Sequence, residues 1–298
     1  MAGMRFGIVI LPQEPWNIAR HRWAEAESLG FDHAWTYDHL SWRTLADEPW
    51  GATIPTLVAA AGVTSTIGLG TFVSSPNFRH PVPFAKDVAT LDDVSGGRVL
   101  LGIGSGGTGF DAFVLGQPEL TPGERHARFA EFVDHLDELL RFEQDATGGI
   151  SREGEWFTSV GARMVGTPAQ HPRVPFVIAA NGPKGLGVVA RHAEAWVTTG
   201  PEGVTGDEWW AAVGALAKRL DEAADAAGRD PLSLDRHLSI DSGGTYSLSS
   251  AAAFEDAVAR AAALGFTDVI AHWPREQGVY AGDERVLREV AARLPSLA

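Results

Sequence analysis

The 298-residue chain carries 24 basic and 38 acidic side chains, a formal net charge of −14, and 45% of its residues are hydrophobic. This acidic, globular composition argues against a surface that neutralises nucleic-acid phosphates, which needs clustered lysine and arginine. Because the chain contains no cysteine, disulfides, thiolate metal sites, iron–sulfur clusters and cysteine nucleophiles are excluded.

The first eleven residues hold one arginine and a short apolar run with no small-residue cleavage site behind it, which is too short for a signal peptide. No apolar stretch approaches the roughly 18 residues that a membrane span requires. We therefore expect a cytoplasmic protein that does not contact a membrane.

Short apolar runs alternate with amphipathic helical stretches along the whole chain. Near-continuous apolar runs are typical of parallel strands that helices cover on both faces. The eight predicted strands are Arg5–Leu11, His33–Asp38, Ile67–Ser74, Val99–Gly104, Val174–Ala180, Ala195–Thr198, His237–Asp241 and Asp268–His272. This order predicts an α/β fold, a single (β/α)8 TIM barrel that spans residues 1–298 as one domain.

Helices are predicted between these strands. The fourth has the clearest start, with Thr121 as N-cap, Pro122 at the first helical position and Glu124 completing a capping box. The others are Trp16–Leu29, Thr53–Thr64, Val82–Val94, Pro183–His192, Asp207–Ala227, one from Ser249 or Ser250 to Gly265, and Asp283–Leu294.

The stretch Gly148–Arg173, between the fourth helix and the fifth strand, is predicted to be an insertion. It carries Trp156, Phe157 and Met164, which is too apolar for a free linker of this length. We expect the insertion to be packed against the barrel.

The reactive groups of such barrels lie where the strands end. The residues that close or directly follow the predicted strands are Pro12, Asp38, His39, Ser74, Ser75, Ser105–Gly107, Asn181–Pro183, Thr199, Asp241, Ser242, His272 and Trp273. This set contains two histidines but lacks the clustered carboxylates that a divalent cation prefers. No metal site is expected.

The run Val99–Gly107 formally contains the G-x-G-x-x-G pattern of a dinucleotide site. A dinucleotide-binding helix should open at the third glycine, whereas further glycines and Pro118 interrupt the chain before the helix at Thr121. Two interpretations stay open. The backbone N–H groups of the loop could approach a flat or anionic ligand, or the glycines could serve a turn alone.

The segment Ala180–Pro183 closes the fifth strand, and Pro183 stands where a helix should begin. Exposed first-turn amides and the positive end of a helix bind an anion without a charged side chain. The pattern indicates a phosphate site, with Lys184 nearby, while a simple helix start at Pro183 is the alternative.

His39 ends the second strand, where it could donate to a ligand or shuttle a proton near neutral pH. A hydrogen-bonded structural histidine is the alternative. Trp42, Phe110 and Trp273 are candidate walls of a substrate pocket, with core packing as the alternative for each.

Four stretches follow one another in an order and spacing typical of one superfamily. They are Thr36–Leu40, Gly70–Pro81, Leu91–Gly106 and Ala179–Lys184. Together they resemble the luciferase-like monooxygenase superfamily, whose barrels use flavin mononucleotide (FMN) or the deazaflavin coenzyme F420. The resemblance covers nearly the whole chain.

The resemblance implies an F420-dependent oxidoreductase that transfers a hydride between the deazaflavin and a small organic substrate. His39 would lie beside the ring as the catalytic residue. A non-proline cis peptide at Phe72–Val73 would support the ring from behind, Gly104–Gly107 would line the ring or the ribityl chain, and Ala180–Pro183 would hold the phosphate. The implied cofactor-binding residues are Asp38, Phe72, Val73, Ser105, Gly106, Gly107, Ala180, Asn181, Gly182 and Pro183.

One feature departs from the family pattern. The glucose-6-phosphate dehydrogenases of the family place a glutamate just after the glycine loop, where this chain has Gly107-Thr108-Gly109. This argues against a sugar-phosphate substrate. Asp111 lies nearby and is either a substitute for the glutamate or a residue that caps a turn.

Other functions stay open at this point. One is an FMN-dependent monooxygenase that uses oxygen and reduced flavin from a separate reductase, and another is a non-catalytic flavin- or deazaflavin-binding protein. A phosphosugar isomerase is disfavoured because the sequence shows no obvious pair of a base and an acid at adjacent strand ends. Members of the superfamily often dimerise, so we expect a homodimer, with a flavin or F420 reductase as a further partner.

Overall fold

Eight parallel strands pair as a closed barrel, as predicted. The computed structural model describes residues 3–107, 109–143, 148–166 and 168–298. The barrel strands are β1 (Arg5–Val9), β2 (His33–Thr36), β3 (Gly68–Thr71), β4 (Val99–Gly104), β7 (Phe176–Ala179), β8 (Ala195–Thr198), β9 (Asp235–Ser239) and β10 (Asp268–His272). Around the barrel their order is β1-β10-β9-β8-β7-β4-β3-β2.

Helices separate the strands along the chain. Those of the described residues are α1 (Trp16–Ser28), α2 (Thr53–Ala61), α3 (Pro81–Ser95), α4 (Phe110–Val114), α5 (Pro122–Leu140), α6 (Pro183–His192), α7 (Gly206–Ala226), α8 (Ala251–Ala263), α9 (Glu284–Ala291) and α10 (Leu294–Leu297). In the part of the chain that the structure describes, no helix has the length and apolar character to cross a membrane.

The local signals at helix ends are confirmed. The hydroxyl of Thr121 accepts from the backbone N–H of Glu124, and the carboxylate of Glu124 accepts from the backbone N–H of Thr121 at 2.7 Å. Gly265, the predicted end of the helix before the last strand, has a φ of 81°, which glycine adopts without a steric penalty.

The chain folds as two compact units. The first comprises Met1–Leu11, His21–Trp35 and Ile178–Ala298, and the second comprises Pro12–Arg20 and Thr36–Val177. That residues 1–298 behave as one domain stays a prediction.

The insertion, in the second unit, is packed as predicted. It contains an antiparallel hairpin of β5 (Ile150–Glu153) and β6 (Thr158–Ala162), and the Phe157 ring lies 5.8 Å from that of Phe132 on α5. The carboxylate of Glu131, also on α5, accepts the backbone N–H groups of residues 155–157. Thr167, within the same stretch, lies outside the described residues.

A buried charge cluster in the first unit connects the strands of the barrel. Arg5 donates to both carboxylate oxygens of Asp268, at 2.8 and 2.7 Å, and Nε2 of His33 lies 3.0 Å from the same carboxylate. Because Nε1 of Trp35 donates to Nδ1 of His33, the proton of this imidazole is on Nε2 and is donated to Asp268. A Cβ on Gly7 would lie 2.3 Å from the His33 ring, so the ring requires glycine there.

This cluster also brings together metal-ligating residue types that lie far apart in the sequence. His33, His237 and Asp268 place potential ligand atoms within 4.8 Å of one another. The guanidinium of Arg5 already supplies the positive charge, and it occupies both oxygens of the carboxylate. We therefore describe the cluster as an ion-pair network at the N-terminal part of these strands, where TIM barrels concentrate stability rather than chemistry.

The cluster predicts that acid destabilises the protein. Burial lowers the pKa of His237 to about 3. Burial alone would raise the pKa of Asp268, but its cationic and hydrogen-bonding neighbours hold that pKa far below its usual range. Both groups therefore bind protons more readily in the unfolded chain, so the free energy of unfolding decreases as the pH is lowered. The decrease begins at about pH 6.5 for His237 and at about pH 4 for Asp268.

The free energy of unfolding is expected to change by about 1.4 kcal/mol per pH unit for each group that titrates only in the unfolded state. Urea unfolding between pH 7.5 and pH 4 measures it. The variant His237→Gln should have a shallower slope between pH 6.5 and pH 4.5, and an unchanged slope there would contradict the assignment.

Candidate functional site

His39 follows β2 in the second unit, and a buried aspartate from α4 holds it. Its Nδ1 lies 2.7 Å from Oδ2 of Asp111, whose other oxygen accepts the backbone N–H of Leu40 at 2.7 Å. The Asp111 side chain is 1% exposed and that of His39 is 12% exposed. A carboxylate only accepts hydrogen bonds, so Nδ1 of His39 carries the proton and Nε2 has the basic lone pair.

Aromatic rings surround this histidine. The Trp42 ring lies 4.5 Å from the imidazole of His39, and the Tyr37 ring lies 5.1 Å from Trp42 and 6.1 Å from Phe72. Phe110 is half-buried and is the first residue of α4, directly before Asp111. Trp42 thus lies beside His39 and Phe110 adjoins Asp111 in the chain, while their role as pocket walls stays a prediction.

The chain after β3 has the unusual geometry that the resemblance implies. The peptide bond Phe72–Val73 is cis. The backbone then returns to the neighbouring strand, where the N–H of Ser74 donates to Gly102 and the carbonyl of Ser74 accepts from Gly104. Val73 is half-buried while its neighbours are buried.

Asp38, a predicted cofactor-binding residue, is engaged within the protein. Its carboxylate is buried, and Arg79 donates to both oxygens at 3.1 and 2.6 Å. The hydroxyl of Ser74 donates to the same carboxylate. Asp38 therefore fixes the end of β2 against the segment after β3, and a contact between Asp38 and a cofactor stays a prediction.

The glycine loop after β4 lies against Asn77. Gly106 has a φ of 67°, and its carbonyl accepts a hydrogen bond of 3.0 Å from Nδ2 of Asn77. Ser105 and Gly106 are half-buried and Gly107 is exposed. Thr108, in the stretch that replaces the family's glutamate, lies outside the described residues.

The predicted phosphate segment lies in the first unit, where β7 leads into α6. Gly182 is the N-cap of α6, Pro183 is its first residue, and the N-cap glycine has no side chain that could cap this end. The amide of Asn181 accepts from the hydroxyl of Thr198 and donates to the carbonyl of Gly200. The Asn181 side chain thus stabilises the loop, and the first-turn amides are the groups suited to an anion.

The role of Trp273 as the third predicted pocket wall stays a prediction. The side chain is buried, and its indole N–H donates to Glu284 on α9 at 3.0 Å.

A second histidine–aspartate pair lies beside Trp273 in the first unit, and it was not among the predicted site residues. Asp241 accepts from the backbone N–H of His272 and lies 2.8 Å from its Nδ1, while the Tyr280 ring stacks on the imidazole at 3.7 Å. The sequence could have indicated both residues as candidates, since each closes a predicted strand.

Comparison with known proteins supports the family and the barrel fold. Residues 4–291 match the model of the luciferase-like monooxygenase family. The chain is 31% identical over 218 residues to an F420-dependent glucose-6-phosphate dehydrogenase of Amycolatopsis mediterranei (strain U-32), covering 72% of this chain and 61% of that protein. It is 31% identical over 189 residues to 5,10-methylenetetrahydromethanopterin reductase of Methanopyrus kandleri, covering 61% of this chain and 52% of that protein.

The chain therefore spans about half to three fifths of the length of these curated relatives. Among solved structures, an F420-dependent secondary alcohol dehydrogenase in complex with an F420-acetone adduct superposes with a TM-score of 0.82 at 16% identity, covering all of both chains. This likeness shows the shared fold. Because the family model matches nearly the whole chain, the protein belongs to the luciferase-like monooxygenase family.

Proposed function

We propose that the protein is an F420-dependent oxidoreductase that transfers a hydride between the deazaflavin and a small organic substrate. The observation that carries this proposal is the His39–Asp111 pair, a buried carboxylate that holds an imidazole in one tautomer beside Trp42. The names of the first relative and of the solved dehydrogenase support the choice of F420.

The residues present suit a phosphate-tailed tricyclic cofactor. At the start of α6, the N-cap residue is a glycine, which has no side chain to cap the first-turn amides, and such amides are suited to a phosphate. In the second unit, Phe72 and the half-buried Val73 follow β3, and the loop Ser105–Gly107 follows β4, so the Val73 side chain and backbone groups are accessible at these strand ends. We assign cofactor contacts to these two segments as the resemblance implies, and the bound cofactor would supply the hydride chemistry.

The protein's own residues accept and donate the proton that accompanies hydride transfer. When a substrate alcohol loses a hydride from carbon, its hydroxyl proton must leave as well, and Nε2 of His39 is the basic atom that accepts it. Asp111 keeps the other nitrogen protonated and stabilises the imidazolium that forms. In the reverse direction the same Nε2–H donates the proton to a carbonyl oxygen. The aromatic rings of Tyr37 and Trp42 exclude water from one side of the imidazole.

An FMN-dependent monooxygenase is the second candidate. A Type II Baeyer-Villiger monooxygenase in complex with FMN shares the fold with a TM-score of 0.63 at 16% identity, covering 79% of this chain and 67% of that one. FMN and F420 have the same phosphate and ribityl groups, so the same amides would serve either cofactor. This candidate requires a separate reductase that supplies reduced flavin.

Equilibrium titration with the two cofactors discriminates between these functions. We expect the purified protein to bind F420 with a Kd at least about tenfold below that for FMN. Absorbance after gel filtration measures retention, and fluorescence titration measures the Kd. Tight binding of FMN together with negligible affinity for F420 would contradict the proposal.

We further propose that the protein is a cytoplasmic homodimer whose chain unfolds as one domain. Light scattering of the same preparation measures its mass, and a monomer would refute the dimer. A thermal scan with two separate transitions would refute the single domain.

A further inference from the structure

A closed set of hydrogen bonds in the second unit lies next to the glycine loop. Arg128 of α5 donates to Oδ1 of Asn77 at 2.5 Å and to Oε1 of Gln117 at 3.2 Å. The amide N–H2 of Gln117 donates in turn to the backbone carbonyl of Asn77 at 2.9 Å. Asn77 and Arg128 are both buried.

Arg128 is an unusual buried cation. An arginine that is 6% exposed is ordinarily paired with a carboxylate. Among the described residues, the side-chain partners of this guanidinium are the amide oxygens of Asn77 and Gln117, and its Nε is buried without a partner. Burial and the nearby charge of Arg125 lower the pKa of Arg128. An ion pair therefore does not explain why an arginine is buried here.

The role of the arginine follows from the orientation of the asparagine amide. A guanidinium only donates hydrogen bonds, so it selects the amide flip in which Oδ1 of Asn77 faces Arg128. Nδ2 then faces the other way and donates to the carbonyl of Gly106 at 3.0 Å. In the reversed flip, the N–H2 group of Asn77 would face the donors of Arg128, and Oδ1 would face the carbonyl oxygen of Gly106.

The glycine loop lies close against this amide. A Cβ on Gly106 would be 2.3 Å from Nδ2 of Asn77, and Gly106 itself has a positive φ. The backbone of the loop is therefore set by the position and the orientation of the Asn77 side chain.

We propose that Asn77, oriented by Arg128, is a positioning residue that fixes the Ser105–Gly107 loop for cofactor binding. The inference rests on the proposed function, because it assigns the loop to the cofactor. Neither side chain is assigned a contact with the reacting atoms. The pair should therefore affect the affinity for the cofactor much more than the rate of the chemical step.

The variant Asn77→Asp separates loop positioning from stability. The carboxylate still accepts from Arg128, now as an ion pair, but it cannot donate to Gly106 and repels that carbonyl. We expect the melting temperature without cofactor to be equal to or above that of the wild type. The Kd for F420 should rise by about 10- to 100-fold, with kcat at saturating F420 changed by less than about threefold.

The variant Gln117→Glu is the matched control. It also places a carboxylate against Arg128 and likewise removes an amide donor to a backbone carbonyl, here that of Asn77, but Gln117 has no hydrogen bond to Gly106, so the Kd for F420 should stay within about threefold of the wild type. A loss equal to that of Asn77→Asp would assign the effect to the neutralised charge of Arg128 and would overturn the proposal.

Substitutions of Arg128 test the same step if Asn77→Asp does not fold. Arg128→Lys keeps a donor-only group and should bind F420 within about threefold of the wild type, whereas Arg128→Met should bind about tenfold more weakly. Equal affinities in all variants, with F420 bound by the wild type, would overturn the inference. Failure of the wild type to bind F420 would instead contradict the proposed function.

Discussion

Replacing His39 with alanine is expected to lower kcat by about 10²- to 10⁴-fold, the usual contribution of a positioned acid–base group. The Kd for F420 should change by less than about threefold, because the imidazole serves the proton rather than the cofactor. Steady-state assays that follow F420 absorbance with small alcohols and carbonyl compounds measure kcat, and titration measures the Kd. A non-catalytic binding protein would show no turnover in the wild type, while unchanged turnover in the variant would exclude His39 as the acid–base residue.

A substitution of Asp111, the hydrogen-bond partner of His39, tests the assigned tautomer directly. In Asp111→Asn the new amide can donate to Nδ1 of His39, which would move the imidazole proton to Nε2 and remove the basic lone pair there. The variant should therefore lose kcat in the same range although His39 is intact. Asp93→Asn, an identical change at an exposed position of α3, is the control and should retain wild-type kcat. Equal activity of the two variants would contradict the assigned tautomer.

The barrel could be predicted from the sequence because buried parallel strands are apolar throughout. The predicted strands Val99–Gly104, Ala195–Thr198 and Asp268–His272 agree with the structure at both ends. The predicted strand His237–Asp241 does not, because β9 begins at Asp235. The two polar residues at its start pair with β8 and form ion pairs with Arg5 and Asp221, which an apolar pattern does not reveal.

Other differences have local causes. The predicted strand Ile67–Ser74 ends at Thr71, directly before the cis peptide. The predicted helix Asp283–Leu294 is divided into α9 and α10, with Pro295 in the first turn of the second helix. A helix also forms at Phe110–Val114, where no helix is predicted from the sequence. It is five residues long and lies between two glycines of positive φ, so it has too few residues for a periodic signal.

Only part of the candidate site could be predicted from the sequence, because local patterns do not reveal contacts between distant residues. The rule that strand ends carry the chemistry selected His39, and the resemblance located the cis peptide. Asp111 lies 72 residues away from His39 on that short helix, so no local spacing indicates the pair. Arg128 falls within a well-predicted helix, but its sequence position does not show that the guanidinium is buried against Asn77. Long-range polar pairs of this kind require the structure.

Replacing Asp268 with asparagine is expected to lower the free energy of unfolding by about 3 kcal/mol or more, since removing one partner of a buried ion pair leaves the others without their acceptor. The side chain of Asp268 is fully buried and accepts from Arg5, His33 and Thr267. An asparagine amide has a single acceptor oxygen, so one donor at least would face another donor.

Asp235→Asn is the matched control for this experiment. Asp235 also pairs with Arg5, at 2.6 Å, but its side chain is 48% exposed, and exposed pairs contribute about 0–1 kcal/mol. Urea unfolding of both variants at pH 7 compares the same chemical change on the same arginine in two environments. A much larger loss for Asp268→Asn than for Asp235→Asn is expected because water can replace the lost carboxylate only at the exposed position. Equal losses would mean that burial of Asp268 adds nothing, and the acid sensitivity assigned to this cluster would then need another origin.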